Sequence, residues 1–159
     1  MKKAAVSCII WKIVYIGGFM DKKTVLLVDD EVDLLDTYKT ILEHDGFKVL
    51  TATGSAEALK IATSNPIHVA VLDVMMETQT EGFELARAMR QNEKTKRIAL
   101  LMLTAVNTHN EEIGSFVRFS DRDRDHTWLP VDRFMDKPIS PQDLVATVRT
   151  LAEAWSFSR

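Results

Sequence analysis

With 159 residues, 46% of them hydrophobic and 27% charged, the chain has the composition of an ordinary globular protein with one sizeable core. A net charge of −3 excludes a general attraction to nucleic acid or to an anionic membrane surface. The single cysteine, Cys8, excludes an internal disulfide framework and a cysteine-based zinc site and fits a reducing compartment, and His44, His68, His109 and His126 share no ligand-like spacing.

The first residues read differently from the rest. Met1-Lys2-Lys3 followed by the apolar Ala4 to Ile10 has the form of a signal-peptide or anchor opening, but Lys12 interrupts a run already too short to span a bilayer. Met20-Asp21-Lys22-Lys23 then reads as a natural start leading into a strand. Residues 1–20 are therefore set apart as an N-terminal arm, either an over-extended start or a tether or dimerisation segment, and 21–159 as the folded domain.

Thr24-Val25-Leu26-Leu27-Val28 is a short apolar run that suits a strand covered on both faces, and it ends in three consecutive acids, Asp29-Asp30-Glu31. Leu34, Leu35, Tyr38, Ile41 and Leu42 then recur at helical spacing until Gly46 stops them. Phe47 to Thr51 is a second strand, and Lys48 gives it the polarity of a sheet edge. Gly54-Ser55 opens a helix through Ala58, Leu59 and Ala62 that Asn65-Pro66 ends. His68 to Leu72 is a third strand running into Asp73, and a polar loop leads from Glu77 to Gly82 and a helix using Phe83, Ala86 and Met89. Ile98 to Leu103 is the fourth and most apolar strand, closed by Thr104.

Beyond it the pattern predicts a short helix near 111–117, a solvated Asp-Arg alternation at 121–125, and a packing anchor at Trp128-Leu129-Pro130. Val131 to Met135 is a fifth strand ending in Asp136-Lys137-Pro138. Ser140-Pro141-Gln142-Asp143 is a helix start, with Leu144, Val145, Val148, Leu151, Ala152 and Trp155 drawing its apolar stripe. Five alternations of strand and helix imply an α/β fold, a parallel sheet with helices on both faces and right-handed crossovers.

In such a sheet the ligand site lies at the carboxyl ends of the strands. Those ends deliver Asp29 and Asp30, Asp73, Thr104 and Lys137. Crowded carboxylates repel unless a cation or proton neutralises them, and an all-oxygen, multiply charged set suits Mg²⁺. A carboxylate beside that ion can attack phosphorus, while a hydroxyl and an ammonium hold the other oxygens of the transferred group. Each acid alone is equally a strand-end or cap residue; their joint placement points to a site.

Val28-Asp29-Asp30-Glu31, Asp73-Val74-Met75-Met76, Thr104-Ala105 and Asp136-Lys137-Pro138, in this order and each at a strand end, resemble the response-regulator receiver domain of two-component signalling. The resemblance runs from about Lys22 to Ala154. It implies a flavodoxin-like doubly wound (βα)5 fold with a five-stranded parallel sheet in the order 2-1-3-4-5 and a receiver domain over 21–159. It further implies that Asp73 is the phosphoacceptor, that Asp30, Asp73 and the Met75 carbonyl ligate Mg²⁺ with Asp29 acting largely through water, and that Thr104 and Lys137 hold the phosphoryl oxygens. Phe134 matches the aromatic that turns inward as Thr104 moves, although an aromatic in a strand is equally a core residue. Met75 and Val106 flank the route of the hydrolytic water, and both being apolar implies slow self-hydrolysis.

The implied partners are a histidine kinase or histidine phosphotransfer protein as donor and a downstream protein as output. The expected contact is the face of the fourth helix, fifth strand and fifth helix, which also offers a homodimer surface. With the chain ending at Arg159 just after the last helix, a cytoplasmic, stand-alone switch without direct nucleic-acid contact is expected, the alternative being a fragment of a larger regulator or hybrid kinase. Two departures stand out. Glu77 replaces the usual Pro in a loop to Gly82 that is one residue longer than usual, and Thr104 and Lys137 are 33 positions apart (137 − 104), the extra length falling at about 119–130. The first keeps open a degenerate receiver that binds partners without phosphorylation. A flavodoxin-like FMN carrier would need a Ser/Thr/Gly-rich loop where the three acids stand, and a haloacid-dehalogenase-like phosphatase would need Asp-x-Asp; both are set aside.

Overall fold

The computed structural model describes residues 22–76, 78, 80–104 and 130–157. The N-terminal arm, Glu77, the expected helix at 111–117, the 119–130 insertion up to Leu129, and Val106 lie outside them, as does the Trp155 side chain.

Within them the strands are β1 (Thr24–Val28), β2 (Lys48–Ala52), β3 (Val69–Asp73), β4 (Ala99–Thr104) and β5 (Arg133–Asp136). The helices are α1 (Val32–His44), α2 (Ser55–Ser64), α3 (Glu81–Gln91) and α4 (Pro141–Phe157). All strand pairs are parallel, and the sheet order is β2-β1-β3-β4-β5. The doubly wound architecture and the order 2-1-3-4-5 are those the sequence implied. Lys48 is exposed on the edge strand β2, where no second neighbour needs a flat apolar face.

Two cores follow from the two-residue period of the strands. Leu26 and Val28, Ala70 and Leu72, Leu100 and Met102, and Phe134 point to one side, against α2 and α3. Val25 and Leu27, Val69 and Val71, Leu101 and Leu103 point to the other, where Leu35, Tyr38 and Leu42 of α1 and Leu144, Val148 and Ala152 of α4 cover them. Each fully buried aliphatic contributes about 1.5–3 kcal/mol. This explains why β1, β3 and β4 are apolar without alternation.

Local signals set the element ends. After α1, Gly46 takes a φ of 94°, the left-handed conformation a side chain would resist. Its N–H donates to Glu43 O and that of Phe47 to Leu42 O, the paired bonds of a Schellman motif, and Phe47 and Leu42 meet in one core. At α4 the Asp143 N–H donates to Ser140 Oγ (3.1 Å), and that hydroxyl donates to Asp143 Oδ2 (2.7 Å). The strands run one residue past the apolar runs, into Ala52, Asp73, Thr104 and Asp136, because backbone pairing continues there whatever the side chain. β5 begins at Arg133 rather than Val131. Among the described residues no helix is long and apolar enough to cross a membrane.

Candidate functional site

Two strands set three acids at one rim. Asp29 follows β1, Asp30 comes next, and Asp73 is the last residue of β3. The alternation of β1 and β3 turns Asp29 and Asp73 towards the same face of the sheet. One carboxylate oxygen from each of Asp29, Asp30 and Asp73 lies within 4.8 Å of the others. Asp29 and Asp73 are buried and Asp30 is exposed, so the cluster opens to solvent on the Asp30 side.

Lys137, just past β5, closes the inner side. Its Nζ donates to Asp29 Oδ2 at 2.7 Å and lies 3.2 Å from Asp73 Oδ1. Asp29 is held from a second direction, by the Glu31 N–H donating to its Oδ1 (2.9 Å). The Lys137 N–H donates to the Thr104 carbonyl at 2.8 Å, so the fully buried Thr104 and the lysine are joined through the backbone, and the Lys137–Pro138 peptide is cis.

Charge and burial compete here. Burial pushes the Asp73 carboxyl above the ordinary carboxylate value; the Asp29 charge adds to this, while Lys137 and the Met75 N–H oppose it. For Lys137 burial pulls downward, but the hydrogen bond to Asp29 and the Asp73 charge prevail, and its ammonium is raised above the usual value. The Tyr38 phenol of α1 is raised mainly by burial. One ammonium against three carboxylates leaves an excess negative charge. An all-oxygen cluster of this size, open to water on one side, fits a small hard dication that keeps part of its hydration.

Of the other expected site residues, Met75 is 39% exposed at the rim, and its N–H reaches Asp73. Phe134 is buried in the core opposite Met102 of β4. Val106 lies outside the described residues.

The sequence reading passed over three residues beside the site. Gly82 is packed so tightly on the end of β3 that a Cβ there would stand 2.1 Å from the Asp73 carbonyl oxygen and 2.8 Å from Val74 Cα. Beside it Glu81 reaches across to α2, where Ser55 Oγ donates to Glu81 Oε1 at 2.6 Å and the Ser55 N–H donates to the same oxygen at 3.2 Å. A glycine after a loop signals a turn, and only the approach of two loops shows what it is for.

Comparison with known proteins agrees with this geometry. Residues 25–119 match the model of the response regulator receiver domain family. The response regulator SaeR of Staphylococcus aureus (strain USA300) is 32% identical over 127 residues, 80% of this chain and 49% of SaeR. The chain thus spans about half the length of the curated relatives it matches. Among solved structures, a CheY-like receiver domain protein from Methanospirillum hungatei JF-1 superposes with a TM-score of 0.71 at 22% identity, covering 87% of this chain and 100% of that one. The response regulator TrrA from Thermotoga maritima, solved in complex with Mg²⁺-BeF, gives 0.61 at 26% identity and covers 81% of this chain and 98% of its own. The chain belongs to the response regulator receiver domains of two-component systems.

Proposed function

We propose that residues 21–159 act as a phosphoacceptor receiver, with residues 1–20 as an appended arm, and that Asp73 accepts a phosphoryl group from a histidine kinase or histidine phosphotransfer protein. The observation that carries this reading is the meeting of Asp29, Asp30 and Asp73 within 4.8 Å, with Lys137 3.2 Å from Asp73. In the step, a carboxylate oxygen of Asp73 attacks phosphorus, the N–P bond of the donor phosphohistidine breaks, and an O–P bond forms as an aspartyl phosphate. Asp29, Asp30, Asp73 and the Met75 carbonyl would hold Mg²⁺, which when bound offsets the negative charge of the acids and of the incoming group. The Lys137 ammonium, already beside Asp73, takes over an oxygen of the transferred group, and the Thr104 hydroxyl takes another. Phe134 then has the inward position of the switch aromatic.

Output is by contact with a downstream protein in the cytoplasm, without direct nucleic-acid binding, through the face to which β5 and α4 contribute; that face is also the candidate homodimer surface. Incubation with radiolabelled phosphorylated kinase tests the reading. Label is expected on the wild type and on an Arg149→Ala surface control and is lost in Asp73→Asn; label persisting in that variant refutes it. A chain that binds a partner equally with and without donor, and takes no label, is instead a phosphorylation-independent interaction module.

A further inference from the structure

The first N–H groups of a helix lack partners within it, and a side chain just before the helix ordinarily accepts them. At α2 that residue is Gly54, which has no side chain to offer. Glu81, the first residue of α3, supplies the acceptor instead, taking both the hydroxyl and the N–H of Ser55 on Oε1. Its carboxylate thus sits at the N-terminal ends of two helices, where negative charge is favoured.

The neighbouring contacts turn this cap into a brace of the site. Next to Glu81, Gly82 lies against the Asp73 carbonyl with no room for a Cβ, and its N–H donates to Val74 O at 3.3 Å. Upstream of Ser55, the Ala52 carbonyl accepts the Asp29 N–H at 3.2 Å. Asp29, Ala52, Ser55, Glu81, Gly82 and Asp73 are therefore linked in series by these contacts and by the short chain segments 52–55 and 81–82, from the end of β1 to the end of β3.

We infer that Glu81 and Ser55 are positioning residues for the divalent-cation site, holding Asp73 and the start of its following loop in register with Asp29. The inference rests on the phosphoacceptor reading of Asp73. Residues that orient ligands without touching the ion commonly alter affinity by about 10–100-fold when removed. Glu81→Ala is expected to weaken Mg²⁺ binding about tenfold. Ser55→Ala, which keeps the backbone donor, weakens it less and adds little in the Glu81→Ala background, because one contact is being removed twice. Glu81→Gln keeps an oxygen acceptor without the charge and is expected to restore near-wild-type affinity.

The test is Mg²⁺ titration followed by calorimetry and by amide NMR shifts, with Val74 and Gly82 also compared in Mg²⁺-free protein and thermal melting recorded for every variant. Shifted Val74 and Gly82 amides together with weaker binding in Glu81→Ala and Ser55→Ala, rescued by Glu81→Gln, support the brace. Wild-type affinity in both alanine variants, with Asp73→Asn losing binding, overturns the brace and leaves the receiver reading standing. Glu81→Gln binding as weakly as Glu81→Ala makes the effect one of charge and also overturns it. A wild type that binds no Mg²⁺ overturns both.

Discussion

Lys137 Nζ stands 2.7 Å from Asp29 Oδ2, across a sequence separation of 108 residues. The two side chains are only 17% and 6% exposed, so this ion pair is far less screened than a surface one. Replacing the lysine by an apolar residue of similar length leaves Asp29 and Asp73 charged, buried and facing each other. Lys137→Met is expected to lower the unfolding free energy in chelator by on the order of 2 kcal/mol. Saturating Mg²⁺ should recover part of that loss by neutralising the same acids. Urea unfolding with and without Mg²⁺ checks both halves.

Asp73 sets up the opposite balance. Its carboxyl is raised by burial first and by Asp29 next, against the pull of Lys137. The folded state therefore binds this proton more tightly than the unfolded state does, and stability from this group falls as pH rises through the raised value. Below the ordinary carboxylate range both states are protonated and the penalty vanishes. In chelator, Asp73→Asn should be more stable than wild type at neutral pH, and the difference should shrink as the pH approaches about 4. Mg²⁺ should reverse the order, since it stabilises only the protein that keeps the carboxylate. Thermal melts across pH, with and without the ion, measure this crossover.

Gly82 offers a test that leaves every charged group in place. A Cβ there meets main-chain atoms of Asp73 and Val74, which cannot swing aside as a flexible side chain would. Gly82→Ala gains helix propensity and loses far more to the clash, so a net destabilisation of about 1–3 kcal/mol is expected. Because the displaced atoms belong to Asp73 itself, phosphorylation should fall more steeply than stability. Comparing phosphotransfer at a temperature where the variant is fully folded separates the two effects.

The succession of strands and helices and the rim acids could be read from the sequence because they depend on local patterns, whereas the spatial order 2-1-3-4-5 came from the family resemblance. Val25 to Val28, Ala70 to Leu72 and Leu100 to Leu103 are apolar on both faces, and polar residues follow at the rim. Strand ends were misplaced by one residue for a physical reason: Asp73 pairs with Leu103, and Thr104 with Asp136, by backbone groups that hydropathy does not register. The Ser55–Glu81 contact stayed invisible because 26 positions separate the two residues, although Ser55 itself reads as part of a helix start. A cap borrowed from another helix has no local signature. The Ala105–Leu129 stretch carried no strong periodicity, and its expected helix and charged loop lie outside the described residues.

Arg90 shows the same kind of tertiary dependence at the far end of the sheet. Its guanidinium donates to the carbonyls of Pro130 (3.0 Å), Lys96 (2.9 Å) and Ile98 (2.5 Å) and to Asp132 Oδ2 (2.6 Å), and that carboxylate also accepts the Leu100 N–H at 2.7 Å. One side chain thereby ties the end of α3 to the entries of β4 and β5. Arg90→Met keeps the apolar stem but strands several acceptors, and a loss of about 3 kcal/mol is expected. Arg90→Lys should recover little, because a point charge on a flexible stem cannot fork to four acceptors at once. Asp132→Asn in the Arg90→Met background should cost less than in the wild type, since the Arg90–Asp132 contact is already gone. Mg²⁺ affinity should stay unchanged in all these variants, the acidic cluster being at the opposite ends of the strands. Chemical denaturation of the single and double variants, paired with Mg²⁺ titration, would expose any coupling between the two ends, and a weakened Mg²⁺ site in Arg90→Met would show that the clamp also shapes the rim.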